Sequence, residues 1–558
     1  MSDTRTTGLS VLDLIERVGN KLPDPAMLFV WASAIVIVLS AIAAKLEWSV
    51  QPVRPEGVMQ QVTNPETGEV REEPVLDEHG RRKVVLVETG SPITARSLLT
   101  SEGIYWMLRT MVANFVGFPP LGVVLVTMLG VGVAERAGLI SALLKAVMLV
   151  VPRNLLTPML VFMGIQSSMG ADSGYVVLPP IAALLFKSVG RSPLAGIAAV
   201  FSGISAGFSA NVLITSLDPL LSGLTQAGAN VIHPGYEVNA ACNWWFLMAS
   251  TFVLTLLGWA VTDLFVEPRL AKRSPEDGGP AVGDTSQLRA ERLSHGEGRA
   301  LAIAMAVFGI ALATVAALVY IPGSPLHGDG MPDSRTSRWI IAIVPIIFFL
   351  FLLPGIAYGV SVGNIRSGRD VAKLMSDGLA ATAPVIVLAF FAGQFIAYFK
   401  YSQLDSLVAY SLGKLLAESG LSPLLLLAAF IIMVMVLNIL ISSASAKWTL
   451  LAPVFVPIFM LLQFSPELTQ AAYRVADSCT NIVTPLNAYL VLILAACRTY
   501  APRTGTGTVI SMMTPYSIVF AVMWTAFLLG WVALGFNLGP GGGLEYVPAA
   551  PGAAAAGS

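Results

Sequence analysis

Charge is scarce in this chain. Only 12% of its 558 residues are Asp, Glu, Lys or Arg, about half the share found in water-soluble domains. With 55% of its residues hydrophobic, such a chain belongs in a lipid bilayer. The few charges nearly cancel, 33 Lys and Arg against 34 Asp and Glu, so no field of one sign recruits nucleic acid. Cysteine is scarce too. Cys242, Cys479 and Cys497 are too scattered for a disulfide framework or a short-spaced zinc site, and read as small packing residues. The four histidines, His79, His233, His295 and His327, all fall in polar connecting segments. The apolar segments therefore lack an imidazole base, which argues against an intramembrane hydrolase. No Gly-x-x-x-x-Gly-Lys-[Ser/Thr] loop offers a nucleotide site. No cofactor is expected, and energy has to come from an ion gradient.

What the chain has in abundance is long apolar runs. Nine are long enough to cross a bilayer: 26–44, 119–137, 193–224, 243–266, 299–321, 339–358, 378–400, 466–499 and 509–537. The first follows a polar start, 1–25, and reads as an uncleaved span rather than a signal peptide. Two regions differ. Residues 154–188 and 421–463 each contain two apolar arms around a polar cluster, "QSSMGADSG" (166–174) and "SSASAKW" (442–448). Backbone at such a cluster is tolerated at membrane depth only inside protein or beside water, which favours re-entrant hairpins over two ordinary helices with a tight turn.

Lys and Arg concentrate in 267–298, 359–377 and 500–508, whereas 225–242 and 538–558 have none. The positive-inside rule then puts 1–25 and 267–298 in the cytoplasm, and the 45–103 segment and the 538–558 tail outside. In this topology the two hairpins enter from opposite sides, one within 104–266 and the other within 299–537. Each is followed by an apolar run with a polar break. "SANVLITSLDPLL" (209–221) and "CTNIVTPLNAYLV" (479–491) both carry an Asn, then a Thr, then a Pro. The expected class is therefore an all-α polytopic membrane protein: about nine transmembrane helices plus two re-entrant hairpins, in an inverted repeat with broken helices.

The chemistry gathers at the breaks. Arg474, Asp477, Ser478 and Asn481 share one helical face. A charge at membrane depth costs at least ~2.5–3.5 kcal/mol, so such residues face a cavity or one another. Arg474 suits a substrate carboxylate, because guanidinium presents a fork of donors. The same spacing also allows an intrahelical Arg474–Asp477 pair. Asp218, in the other break beside Asn211, has no basic residue within a helical turn and reads as a coupling-ion candidate. Trp448 at the second tip suits stacking on an aromatic substrate, while Trp31, Trp106 and Trp524 fit an interfacial belt. Lys447 and Asp172 hold equivalent places in the two tips and have no assigned role. "GISAG" (203–207) matches a nucleophile motif around Ser205, but in an apolar helical run the spacing is better read as a small-residue packing face.

The blocks "ERVGNKLPDP" (16–25), "GFPPLGVVLV" (117–126), "GYVVLPP" (174–180), "GFSANVLITSLDPLL" (207–221), "SSASAKW", "AAYRVADSCTNIVTP" (471–485) and "ISMMTPYS" (510–517) together resemble the AbgT family of bacterial inner-membrane transporters. The resemblance implies a homodimer of protomers with nine spans and two re-entrant hairpins. It implies transport of p-aminobenzoyl-glutamate and related folate catabolites, substrates with an aromatic amine and carboxylates, and in some members export of sulfonamide antimetabolites. A carrier of other dicarboxylates stays open. The family's substrate-path positions match Asp218, Ser445, Trp448, Pro466, Arg474, Asp477 and Pro485; Asn211 and Asn481 join them from the repeat. A sodium position would fall among Asn438, Ser442 and Asp477. The hairpin tips depart from the Ser-Asn-Thr of related ion transporters, so the coupling ion is open between H+ and Na+.

Overall fold

The computed structural model describes residues 25–546 apart from 58, 64–69, 75–83, 151, 171–172, 281–292, 328–337, 442, 485–486 and 488. Asp172, Ser442 and Pro485 lie outside the described residues. Seven helices among those described are long and apolar enough to cross a membrane. Six fall on expected runs: Ala26–Lys45, Ser101–Arg136 (interrupted at Gly117 and Phe118), Trp244–Leu270, His295–Tyr320, Ile343–Val362 and Thr506–Ala533. The seventh, Ala444–Leu461, is the second arm of the 421–463 region. The 378–400 run is carried by two helices, Gly368–Ala381 and Ala383–Tyr401. The Ser101–Val116 helix was not legible, because Glu102, Arg109 and Asn114 dilute its apolar face; Val112 is nevertheless 72% exposed, a lipid-facing position.

Both polar-centred regions form helix pairs. Leu156–Gln166 leads through a short 3-10 turn, Ser167–Gly170, to Ser173–Ser188; Pro423–Leu440 leads to Ala444–Leu461. The runs after them are discontinuous. Pro193–Phe201 ends in a π-turn, Ser202–Ala206, and resumes as Leu217–Ala229; Pro466–Thr480 resumes as Leu490–Tyr500. The first break precedes Pro219 instead of falling on it. Proline is tolerated in a helix's first turn and disfavours helix just before it, so Pro219 helps set where the second half begins. Three of these helices start alike. Ser192, Ser422 and Ser465 each accept a hydrogen bond from a backbone N–H three residues on, with Pro193, Pro423 and Pro466 at the first helical position.

These segments form the buried centre. All of Pro193–Phe201 is buried, and Pro466–Thr480 is buried from Pro466 to Cys479, whereas His295–Tyr320 buries only Ala300, Leu301, Ala304 and Val319. Gly164 and Gly203 let the first pair touch the first broken helix backbone to backbone. A Cβ on Gly203 would lie 2.2 Å from the Val161 carbonyl oxygen, and one on Gly164 2.4 Å from that of Val200. The "GISAG" segment is thus a packing face, as its spacing suggested.

The helical class has one addition. Within the 45–103 segment, three antiparallel strand pairs nest into a ribbon: Ser49–Val50 with Ile93–Thr94, Val53–Gly57 with Val84–Glu88, and Met59–Thr63 with Val70–Pro74. Its foot packs Val50, Val53, Leu86 and Ile93 against Tyr410 and Leu461. The described part of the tail, up to Tyr546, is anchored as well. Ser465 N–H donates to Leu544 O at 3.0 Å, and Tyr546 N–H to Gln463 O at 2.7 Å. Trp524 departs from the expected belt: it is buried, its indole N–H donating to Ser250 Oγ at 2.9 Å.

Candidate functional site

Helix Pro466–Thr480 buries three charged residues, Glu467 in its first turn, where it accepts from Tyr236 OH at 3.1 Å, and deeper along it Arg474 and Asp477, which find charged partners on other elements. Arg474 Nη1 lies 2.6 Å from Asp218 Oδ1, at the start of the resumed first helix. Lys447 Nζ lies 2.6 Å from Asp477 Oδ1, reaching across from the second helix pair; the side chains of Arg474, Lys447 and Asp477 are each 1% exposed. Two sequence readings are thereby corrected. Asp218 is not a lone carboxylate, and Arg474 and Asp477 do not neutralise each other. Their partners come from elsewhere in the chain because four buried charges are cheapest as two contacts of opposite sign, each completed by hydrogen bonds.

Asp218 Oδ2 accepts from Thr215 N–H at 2.6 Å and from Thr215 Oγ1 at 2.9 Å, which ties the carboxylate to the unwound segment before its helix. The guanidinium is less fully used. Nη2 donates to Ser209 O at 3.5 Å, and Nε is buried with no hydrogen-bond partner among the described residues. Ser209 N–H in turn donates to Ser478 Oγ at 3.3 Å. The two breaks therefore face each other across Arg474, Asp218, Ser209 and Ser478.

Lys447 also donates to Asn438 Oδ1, and Asn438 Nδ2 donates to Asp477 O and, at 2.8 Å, to Thr480 Oγ1. Asn481 Nδ2 reaches Asp477 Oδ2 at 3.4 Å, while its own Oδ1 is buried without a partner among the described residues. Asn438 and Asp477, two of the three positions considered for sodium, thus turn their side-chain oxygens to an ammonium. The third, Ser442, is not among the described residues. Lys447 thereby occupies one side-chain oxygen of each of the first two, Asn438 Oδ1 and Asp477 Oδ1, that a sodium ion there would use.

Trp448 is buried and stacks on Tyr473, ring centroids 4.4 Å apart at 24°. Its indole N–H donates to Thr225 Oγ1 at 2.9 Å, which donates to Gln470 Oε1 at 2.7 Å. The ring expected to stack on a substrate stacks on the protein instead. Pro466 is also displaced from the site: as the first residue of its helix it lies about 12 Å along the axis from Arg474. Ser445 is half-buried in the first turn of Ala444–Leu461, its hydroxyl 3.4 Å from that of Ser443. Asn211, in the first break, meets the first tip, where Ser168 Oγ donates to Asn211 Oδ1 at 2.7 Å. Ser205 Oγ accepts from Asn487 Nδ2 at 3.2 Å, an amide where a hydrolase needs an imidazole. Sequence reasoning missed Tyr473, Thr225, Gln470 and Asn487. Polar side chains scattered among apolar ones were the only signal. A cavity of about 620 Å³ lies away from these residues, beside Phe265, Arg269 and Ile518.

Comparisons agree with this architecture. Residues 10–546 match the AbgT putative transporter family. The p-aminobenzoyl-glutamate transport protein of Escherichia coli K12 is 33% identical over 531 residues, covering 94% of this chain and 95% of that protein. Two solved structures are similar. The YdaH transporter of Alcanivorax borkumensis is 38% identical with a TM-score of 0.78, over 93% of this chain and 100% of its own. MtrF of Neisseria gonorrhoeae, described as illuminating a class of antimetabolite efflux pumps, is 39% identical with a TM-score of 0.81, over 94% and 97%.

Proposed function

The chain belongs to the AbgT family of transporters, a multi-pass inner-membrane protein, and from that premise we propose an ion-coupled carrier of p-aminobenzoyl-glutamate and similar aromatic acids. The names of its relatives support the substrate class, one transporting p-aminobenzoyl-glutamate and another placed among antimetabolite efflux pumps. The observation that carries the reading is the enclosed Arg474–Asp218 pair between two broken helices. Asp218 takes one end of the guanidinium. The other edge, Nε with Nη2, is the edge a carboxylate grips with two parallel hydrogen bonds, and here it makes a single 3.5 Å contact. A glutamyl carboxylate takes that edge and draws Arg474 away from Asp218. Asp218 then serves as the resident stand-in that lets substrate go.

Substrate reaches so enclosed a site only if the helix pairs move as re-entrant hairpins against the rest of a homodimer. Transport direction follows whichever summed gradient is larger. Purified protein in liposomes, given labelled p-aminobenzoyl-glutamate and an imposed cation gradient, tests the reading. Saturable, gradient-driven movement with counterflow is expected, and its absence overturns the substrate assignment. Flux that neither saturates nor shows counterflow indicates a channel. Movement of other dicarboxylates alone favours the second reading, a general dicarboxylate carrier.

A further inference from the structure

We propose that Lys447 is a built-in cation that fills the place a metal coupling ion takes in a carrier of this design, so that this site works without sodium. The inference rests on the carrier reading and concerns its ion. Four observations carry it. The ammonium contacts Asn438 Oδ1 and Asp477 Oδ1, a neutral and an anionic oxygen presented by two different elements, and both charged partners are 1% exposed. The same two elements are cross-linked around it, since Asn438 Nδ2 donates to the Asp477 carbonyl and to Thr480 Oγ1. Asp477 is further enclosed by Tyr473 OH and Asn481 Nδ2, each 3.4 Å away, and Tyr473 OH also holds the Ala444 carbonyl at the start of the helix that bears Lys447. Finally, Lys447 is the only Lys or Arg between Lys414 and Arg474, so no other base on that stretch supplies the charge.

Chemically, a lysine ammonium is a compact unit charge with three donors and no acceptor. It satisfies Asn438 Oδ1 and Asp477 Oδ1, two oxygens that a bound monovalent cation would use, and it does so at any sodium concentration because it is covalently tethered. A second cation at the same oxygens would meet a like charge in a site with little water to screen it. Lys447 therefore decides which ion is refused here. It also joins the helix pair Pro423–Leu440 and Ala444–Leu461 to the broken helix, as a shared metal ion would.

Sodium binding to the purified protein tests this independently of transport. Thermal denaturation in detergent is compared in sodium chloride and choline chloride at equal ionic strength. The wild type is expected to show no sodium-specific shift of its midpoint. Lys447→Ala frees Asn438 Oδ1 and Asp477 Oδ1 and is expected to gain a saturable sodium-specific rise, which Lys447→Ala/Asp477→Asn loses. A sodium-specific, saturable rise in the wild type overturns the proposal, and that measurement stands even if the variants fail to fold. A folded Lys447→Ala protein indifferent to sodium overturns it as well. Failure of the carrier reading shows separately, as loss of substrate movement under every gradient.

Discussion

Asp218→Asn separates the two duties of the Arg474–Asp218 pair. Asparagine keeps the shape of the side chain and can still accept from Thr215 N–H and Oγ1, so the local turn survives. What it removes is the charge facing a guanidinium whose side chain is 1% exposed. Leaving one partner of a buried pair uncompensated costs about 3–5 kcal/mol. Arg474→Gln should cost a similar amount by stranding Asp218. In the double variant neither charge is stranded, so its loss should fall short of the sum by about 0.5–3 kcal/mol, the range for directly coupled residues. Denaturant titration of the four proteins in detergent reads that coupling. Substrate binding reads the second duty. Arg474→Gln loses the carboxylate partner and should bind p-aminobenzoyl-glutamate poorly. Asp218→Asn removes the competitor and should bind it as tightly or more so, where about 1.4 kcal/mol of relieved competition is tenfold, yet turn over slowly. Additive losses of stability, or an Asp218→Asn protein that binds as weakly as Arg474→Gln, would refute the reasoning.

Asp405 offers a pH test outside the membrane-spanning segments. It starts the Leu404–Glu418 helix, where burial pushes its carboxyl up to about 6 despite hydrogen bonds from Ser406 N–H and Oγ. Because the folded state holds its proton more tightly, stability should fall as pH rises from about 4 through 6, by up to about 3 kcal/mol; Asp405→Asn should flatten that part of a melting-point profile. Gly203→Val should overpack a backbone contact already at the limit, costing about 1–3 kcal/mol or more, whereas Gly309→Ala, with open space around it, should be neutral. Monodispersity and melting point after extraction distinguish the two.

The fold was legible where apolar length alone decides. Trp244–Leu270 and Thr506–Ala533 answer to the runs at 243–266 and 509–537, because a bilayer imposes one requirement on every span. The breaks were legible for a related reason: "SANVLITSLDPLL" and "CTNIVTPLNAYLV" put polar residues and proline where a continuous helix would put leucine. Pairing was not. Sequence spacing reveals only neighbours one helical turn apart, so Arg474 and Asp477 looked like partners, while Asp218 and Lys447 looked alone. Their contacts form only when the two halves of the chain fold against each other. The ribbon escaped notice because its Val-rich strands sit in a segment whose charges read as loop.

Arg474 with Asp218 and Lys447 with Asp477 also have an electrical consequence. Moving one elementary charge through the membrane potential is worth about 2.3 kcal/mol per 100 mV. Two matched pairs present that field with dipoles instead of monopoles, so they add no net gating charge when the centre shifts. Any current that accompanies a transport cycle then owes nothing to these two pairs.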